Sequence, residues 1–159
     1  AHFNPAVTLS FWLQQQISDR EAAFYVIVQI IAAIAGAVLA HVMFDMPDLV
    51  MASTKVRTGV GIWIAEFVAT FGLLATILGC IRLRPDAVPY AVGLYISAGY
   101  WFTSSTSFAN PAVTVARTMT ESFSGILAAH APAFIVMQIA GAVVVTYLFK
   151  WLYGDLKAN

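Results

Sequence analysis

Phe108-Ala109-Asn110-Pro111-Ala112-Val113-Thr114-Val115 is a stretch that the chain also carries, little changed, near its first residue, as Phe3-Asn4-Pro5-Ala6-Val7-Thr8-Leu9. Two Asn-Pro-Ala-Val-Thr boxes with apolar flanks in one short chain are an internal repeat. Each box also reads as the start of a helix. Asn is a favoured N-cap, Pro fits the first helical position, and helix-compatible residues follow. An Asn that caps its own helix through its side-chain oxygen keeps the N–H donors of its amide for other partners. The helix end it caps carries roughly half a positive charge. Two such ends meeting inside a bilayer offer donors to a passing oxygen atom and repel cations.

Composition sets the surroundings. Of the 159 residues, 60% are hydrophobic and 10% are charged, with a mean hydropathy of +0.81. Soluble domains carry about 25% charged residues, so this is the sequence of an integral membrane protein, with the lipid bilayer as its partner. A formal net charge of zero argues against nucleic acid as a partner. The single Cys80 excludes an internal disulfide and reads as a packing residue. No His/Cys set has metal-ligand spacing, and no cofactor is expected. Three scattered histidines and one cysteine supply no nucleophile–base pair, so an enzyme is not expected.

Taken in order, Ala6 to Gln15 predicts a helix of roughly 15 Å, half a hydrocarbon core. A polar run, Gln14 to Arg20, follows, in which Ser18 and Glu21 form a capping box for the next helix. Ala22 to Phe44 predicts a full span, ended by Asp45, Pro47 and Asp48, and Ser53 to Thr58 complete a polar loop. Val60 to Ile81 predicts a second span, closed by Arg82 to Asp86, and Ala87 to Phe102 a third. The hydroxyl run Thr103 to Ser107 leads into the second box, and Ala112 to about Thr120 predicts a second half-helix. Ala131 to Tyr153 predicts the last span, with Gly154 to Lys157 as a short tail.

The repeat extends past the boxes. Tyr25 to Ile30 matches Phe134 to Ile139, aligning Gln29 with Gln138, and each span carries a small residue, Gly36 or Gly141, for close helix approach. Gln29 and Gln138 are expected to bond between helices, and His41 and His130 to sit at interfaces. Three crossings between the boxes make the half-helices enter from opposite faces, an inverted repeat that builds a midplane site. The expected fold is therefore all-α, a single domain over residues 1–159. Its first-repeat part is 1–44 and its second 60–153. Two spans precede the second box and none the first, so the repeat calls for two further spans ahead of Asn4. Without them the chain is not expected to seal a pore. Arg20, Arg82, Arg84, Lys150 and Lys157 fall on one side and Lys55, Arg57 and Arg117 on the other, a weak bias toward the first side as cytoplasmic.

With its two Asn-Pro-Ala boxes on two half-helices, the chain resembles the aquaporin (major intrinsic protein) family over its whole length. The resemblance implies an aquaporin-like inverted repeat, a homotetramer, and a passive channel. Cation exclusion by half-helix dipoles is already recognised for aquaporin-type pores. Asn4, Pro5, Ala6 and Asn110, Pro111, Ala112 would form the pore centre. The two asparagines would donate to the permeating molecule. His2 matches the histidine that the family often places at the cytoplasmic pore mouth. Glu66 is the one acid inside a predicted span, where a carboxylate is costly and either bonded or snorkelling at a span end. The resemblance implies that it supports the loop before the second half-helix.

The chain departs from the family after the second box, where Val113 stands in place of the usual Arg. Losing a guanidinium there widens the outer constriction and removes a fixed cation barrier. The family alignment makes Tyr100, Ser107 and Val113 the selectivity filter. Arg117 lies four residues after Val113, nearly on the same helix face and leaning toward the N-terminus; it is either a displaced filter arginine or a surface residue. A subgroup of bacterial aquaglyceroporins associated with arsenic handling resembles this pattern. That implies a plasma-membrane channel for glycerol-like solutes, water, or undissociated metalloid acids such as arsenite. The competing expectation is a non-conducting structural relative or truncated product.

Overall fold

The computed structural model describes residues 1–154, so Asp155 and Lys157 of the expected tail lie outside the described residues. Six α-helices follow one another: α1 Pro5–Leu13, α2 Asp19–Met43, α3 Val60–Leu83, α4 Val88–Phe102, α5 Pro111–Arg117 and α6 Ala131–Tyr153. No strand occurs among the described residues.

Local chemistry accounts for the helix starts. Asn4 and Asn110, both extended, cap α1 and α5, and Pro occupies the first position of each. Ser18 and Glu21 make the expected capping box at α2. Gly59 begins α3 from a φ of +123°, a conformation open to glycine and costly for other residues.

The third crossing keeps its expected bounds to within one residue, and the reach of the second half-helix is corrected. The third crossing is a helix of 15 residues, α4, after a single 3₁₀ turn at Pro85–Ala87. At 1.5 Å per residue it is about 22 Å long, short of the hydrocarbon thickness of roughly 30 Å. Pro89 in its first turn keeps the helix from extending backward. Three helical stretches, Asp19–Met43, Val60–Leu83 and Ala128–Tyr153, have the length and hydropathy of a full span. The second half-helix ends early, at Arg117, where Thr118 and Met119 turn back on the carbonyls of Val115 and Ala116.

Both half-helices pack against both α2 and α6, while α3 packs against α6 and α4. The core lies where α1, α3 and α6 meet, around Val7, Leu73, Leu74, Ile77 and Val145. Gly141 makes the α3–α6 approach possible, since a Cβ there would stand 2.6 Å from the Phe67 carbonyl oxygen. Its repeat mate Gly36 meets nothing within 4 Å. The same asymmetry runs along the whole span. α3 and α6 each bury seven residues, whereas α2 buries two, both polar: Gln29 and His41.

Candidate functional site

The two boxes meet. Asn4 uses Oδ1 to accept the Ala6 N–H at 2.9 Å, and its Nδ2 donates to the Ala109 carbonyl at 2.7 Å. Asn110 accepts the N–H groups of Ala112 (3.0 Å) and Val113 (3.4 Å), and its Nδ2 donates to the Phe3 carbonyl at 3.0 Å. Each asparagine therefore braces the residue that precedes the other. One of the two amide N–H donors on each is thereby committed, and one is left. Phe3 and Ala109 both have positive φ, 55° and 46°, so each carbonyl is aimed by a left-handed turn. Such a turn costs a non-glycine residue roughly 1–2 kcal/mol. The matched pair of strained residues is held by the cross-bonds it makes.

The threonine of each box binds the glutamine of the span that follows. Gln29 Nε2 donates to Thr8 Oγ1 at 3.0 Å, and Gln138 Nε2 to Thr114 Oγ1 at 2.9 Å. In the second repeat the network continues to Glu66, which is fully buried. Its Oε1 accepts the Phe108 N–H at 2.9 Å, and its Oε2 accepts the Ala109 N–H at 2.9 Å and Gln138 Nε2 at 2.6 Å. A buried carboxylate receiving three donors is the arrangement in which such a group is tolerated.

Of the expected filter residues, Ser107 is buried and packs so close to Gly99 that a Cβ on Gly99 would meet its Oγ at 2.7 Å. Tyr100 accepts a hydrogen bond from Arg117 Nη2 at 3.2 Å. Val113 lines a cavity of about 570 Å³ between α2 and α5, with Ala33, Ala37 and Arg117. Tyr100 lines an adjoining cavity of about 650 Å³, with Thr106 and Arg117. Arg117, Phe123 and Ser124 border both cavities. The Arg117 guanidinium lies 4.2 Å from the Phe108 ring centroid, which rules out a free surface side chain. Its Nη1 is buried with no partner among the described residues.

His2 stacks on Tyr25 with ring centroids 5.0 Å apart and lies 3.2 Å from Thr8 Oγ1 through Nδ1. His41 lies in the last turn of α2. It is 5% exposed, donates through Nδ1 to the Leu49 carbonyl and bonds Thr120 Oγ1 through Nε2, both at 2.8 Å. His130 accepts the Arg57 N–H at 3.2 Å. Arg57 is the residue that sequence gave no reason to single out. From the loop between α2 and α3 its side chain turns inward and becomes buried, and its guanidinium stands 5.1 Å from the Phe108 ring. Burial, and then the charge of Arg117, lower its pKa, with Glu66 opposing. No group of His, Cys, Asp and Glu among the described residues could hold a metal ion.

Two capped half-helices joined at their asparagines, set between apolar spanning helices, define an integral membrane protein of the opposed half-helix class. The sequence profile of the major intrinsic protein family matches residues 1–86, and the chain belongs to that family. It is 56% identical over 152 residues to the aquaglyceroporin AqpS of Rhizobium meliloti (strain 1021), covering 96% of this chain and 65% of that protein. It is 29% identical over 165 residues to the probable aquaporin AqpM of Archaeoglobus fulgidus, covering 96% and 67%. It is 36% identical over 109 residues to aquaporin-1 of Canis lupus familiaris, covering 63% and 40%. The chain therefore spans about two thirds, or less, of the length of these relatives.

Proposed function

We propose that this chain forms the greater part of a passive channel for water and small neutral solutes, of the glycerol or undissociated metalloid acid type. The observation that carries this function is the reciprocal bracing of Asn4 and Asn110, which places two helix N-termini and one free amide N–H on each asparagine at a common point. Oxygen-bearing neutral solutes gain hydrogen bonds there and cations meet two positive helix ends. The pore centre comprises Asn4, Pro5, Ala6, Asn110, Pro111 and Ala112. Glu66 supports it through the loop, and His2 lies at the inner mouth. At the outer mouth Tyr100, Ser107 and Val113 supply an aromatic, a hydroxyl and an apolar surface, and Arg117 is the guanidinium that Val113 does not provide. The sequence's aquaglyceroporin relative supports the solute class, and its rhizobial source a bacterial plasma membrane. The assembly proposed is a homotetramer, with the first box entering from the cytoplasm.

The test is stopped-flow light scattering of vesicles holding the protein together with the two spans that the repeat calls for. Faster swelling with glycerol and arsenite than in protein-free vesicles is expected. Flux equal to that of protein-free vesicles for water, glycerol and arsenite alike refutes the channel function.

A further inference from the structure

The loop between α2 and α3 is strapped to the segment after the second half-helix. Met51 and Ser53 donate their N–H groups to the carbonyls of Met119 (3.1 Å) and Thr118 (3.0 Å), and Leu127 donates to the Lys55 carbonyl at 2.8 Å. This strap delivers Arg57 into the protein. Its Nε donates to the Gly125 carbonyl at 2.8 Å, Nη2 to the Phe123 carbonyl at 2.8 Å, and Nη1 to the Ser105 carbonyl at 3.1 Å and to Thr106 Oγ1 at 3.4 Å. The guanidinium thus bridges the loops on either side of α5. It also holds the approach to residues Thr106 and Ser107, whose φ angles of 65° and 49° are costly for side chains of their kind.

The partners of Arg57 are neutral. No carboxylate among the described residues lies at ion-pair distance from it, and carbonyl oxygens orient a guanidinium without cancelling its charge. At 7% exposure that charge is poorly screened. It shares the Phe108 ring with Arg117, whose Nη1 is buried and unpartnered among the described residues.

We infer that Arg57 is a specificity-determining residue of the outer constriction, the stationary positive charge beside the second box, which leaves Arg117, whose side chain borders both outer cavities, as the guanidinium that faces the solute. The inference deepens the proposed channel function and rests on it. Arg57 positions carbonyls with its planar fork and excludes cations with its charge, and these two properties separate on substitution. Lysine keeps the charge and loses the fork; glutamine loses the charge.

The experiment compares wild type, Arg57→Lys and Arg57→Gln in vesicles, with the two further spans present. Water and glycerol fluxes are read by light scattering, and sodium and proton leak by entrapped dyes. Arg57→Gln is expected to raise the ratio of cation leak to neutral flux on the order of tenfold, the scale of one unit charge a few ångströms away in a poorly screened site. Arg57→Lys is expected to keep the wild-type leak ratio while shifting the ratio of water to glycerol flux. An Arg57→Gln protein that is folded and has the wild-type leak ratio overturns the inference, as does an Arg57→Lys protein that leaks like Arg57→Gln. If Arg57→Gln does not assemble, Arg57→Lys decides: wild-type leak with an altered solute ratio supports the inference, and no change in either overturns it. A wild type without neutral flux refutes the channel function itself, and the inference with it.

Discussion

Gln138 donates to Glu66 across 2.6 Å, and this bond joins the last span to the carboxylate that also receives the Phe108 and Ala109 N–H groups. The carboxylate accepts three donors. A glutamine in its place has one acceptor oxygen and presents an NH2 group to the remaining donors. Glu66→Gln is therefore expected to lower the yield of assembled protein and its melting temperature, at a cost of about 1–3 kcal/mol for each buried donor left unpaired. The fluxes of the surviving protein should keep their solute ranking. Unchanged yield with an altered ranking contradicts a supporting role.

The repeat symmetry makes a second demand. Gly141 meets the backbone of α3, while Gly36 meets nothing, and α2 buries only Gln29 and His41. Two spanning helices placed ahead of Asn4 are expected to be required for transport, because α2 and α1 otherwise lack a packing partner on one side. Backbone groups exposed to lipid each cost several kcal/mol. Transport by purified residues 1–159 alone, in vesicles, refutes this requirement.

Val113→Arg, with those spans present, should reduce glycerol and arsenite flux on the order of tenfold by filling the constriction, and reduce water flux less. The new guanidinium would lie one helical turn from Arg117, so the two like charges repel. Arg117→Ala should raise the leak of cations and widen the opening, since Arg117 borders both outer cavities and bonds Tyr100. Equal loss of all solutes on Val113→Arg, together with a silent Arg117→Ala, removes the outer constriction from these residues.

Outside the spans, Glu121 accepts the Thr54 N–H at 2.6 Å and the Thr54 hydroxyl at 2.7 Å. The backbone bond first, and then the hydroxyl bond, hold its carboxyl below the usual carboxylate range. Because the folded pKa is depressed, the link is fully present above the unfolded value and is lost as pH falls through the folded one. The Thr54 amide resonance is expected to titrate with a midpoint below that of an ordinary glutamate, and Glu121→Gln should abolish the titration. A midpoint at or above the ordinary value contradicts the link.

Much of the fold was legible because its signals are local. Hydropathy and length mark the spans Asp19–Met43 and Val60–Leu83, and Asn, Pro, Ser18 and Glu21 place the helix starts where they occur. The bounds of α4 were legible to within one residue, whereas the early end of α5 was not, since the turn at Thr118 and Met119 is made by backbone hydrogen bonds.

By itself, the sequence determined the apolar helices, the two capped half-helices, the repeat that aligns Gln29 with Gln138, and Glu66 as an acid in need of partners. Each of these follows from composition or from residues a few positions, or one repeat, apart. Only the tertiary structure decided that each asparagine donates to the residue before the other, that His41 is buried against Thr120, and that Arg57 and Arg117 share Phe108. Those contacts join segments up to 107 residues apart in the chain. Their geometry depends on left-handed turns at Phe3 and Ala109 and on a strap of backbone hydrogen bonds. Neither has a side-chain signature, because the turns are made by ordinary L-residues and the strap by peptide groups common to every sequence.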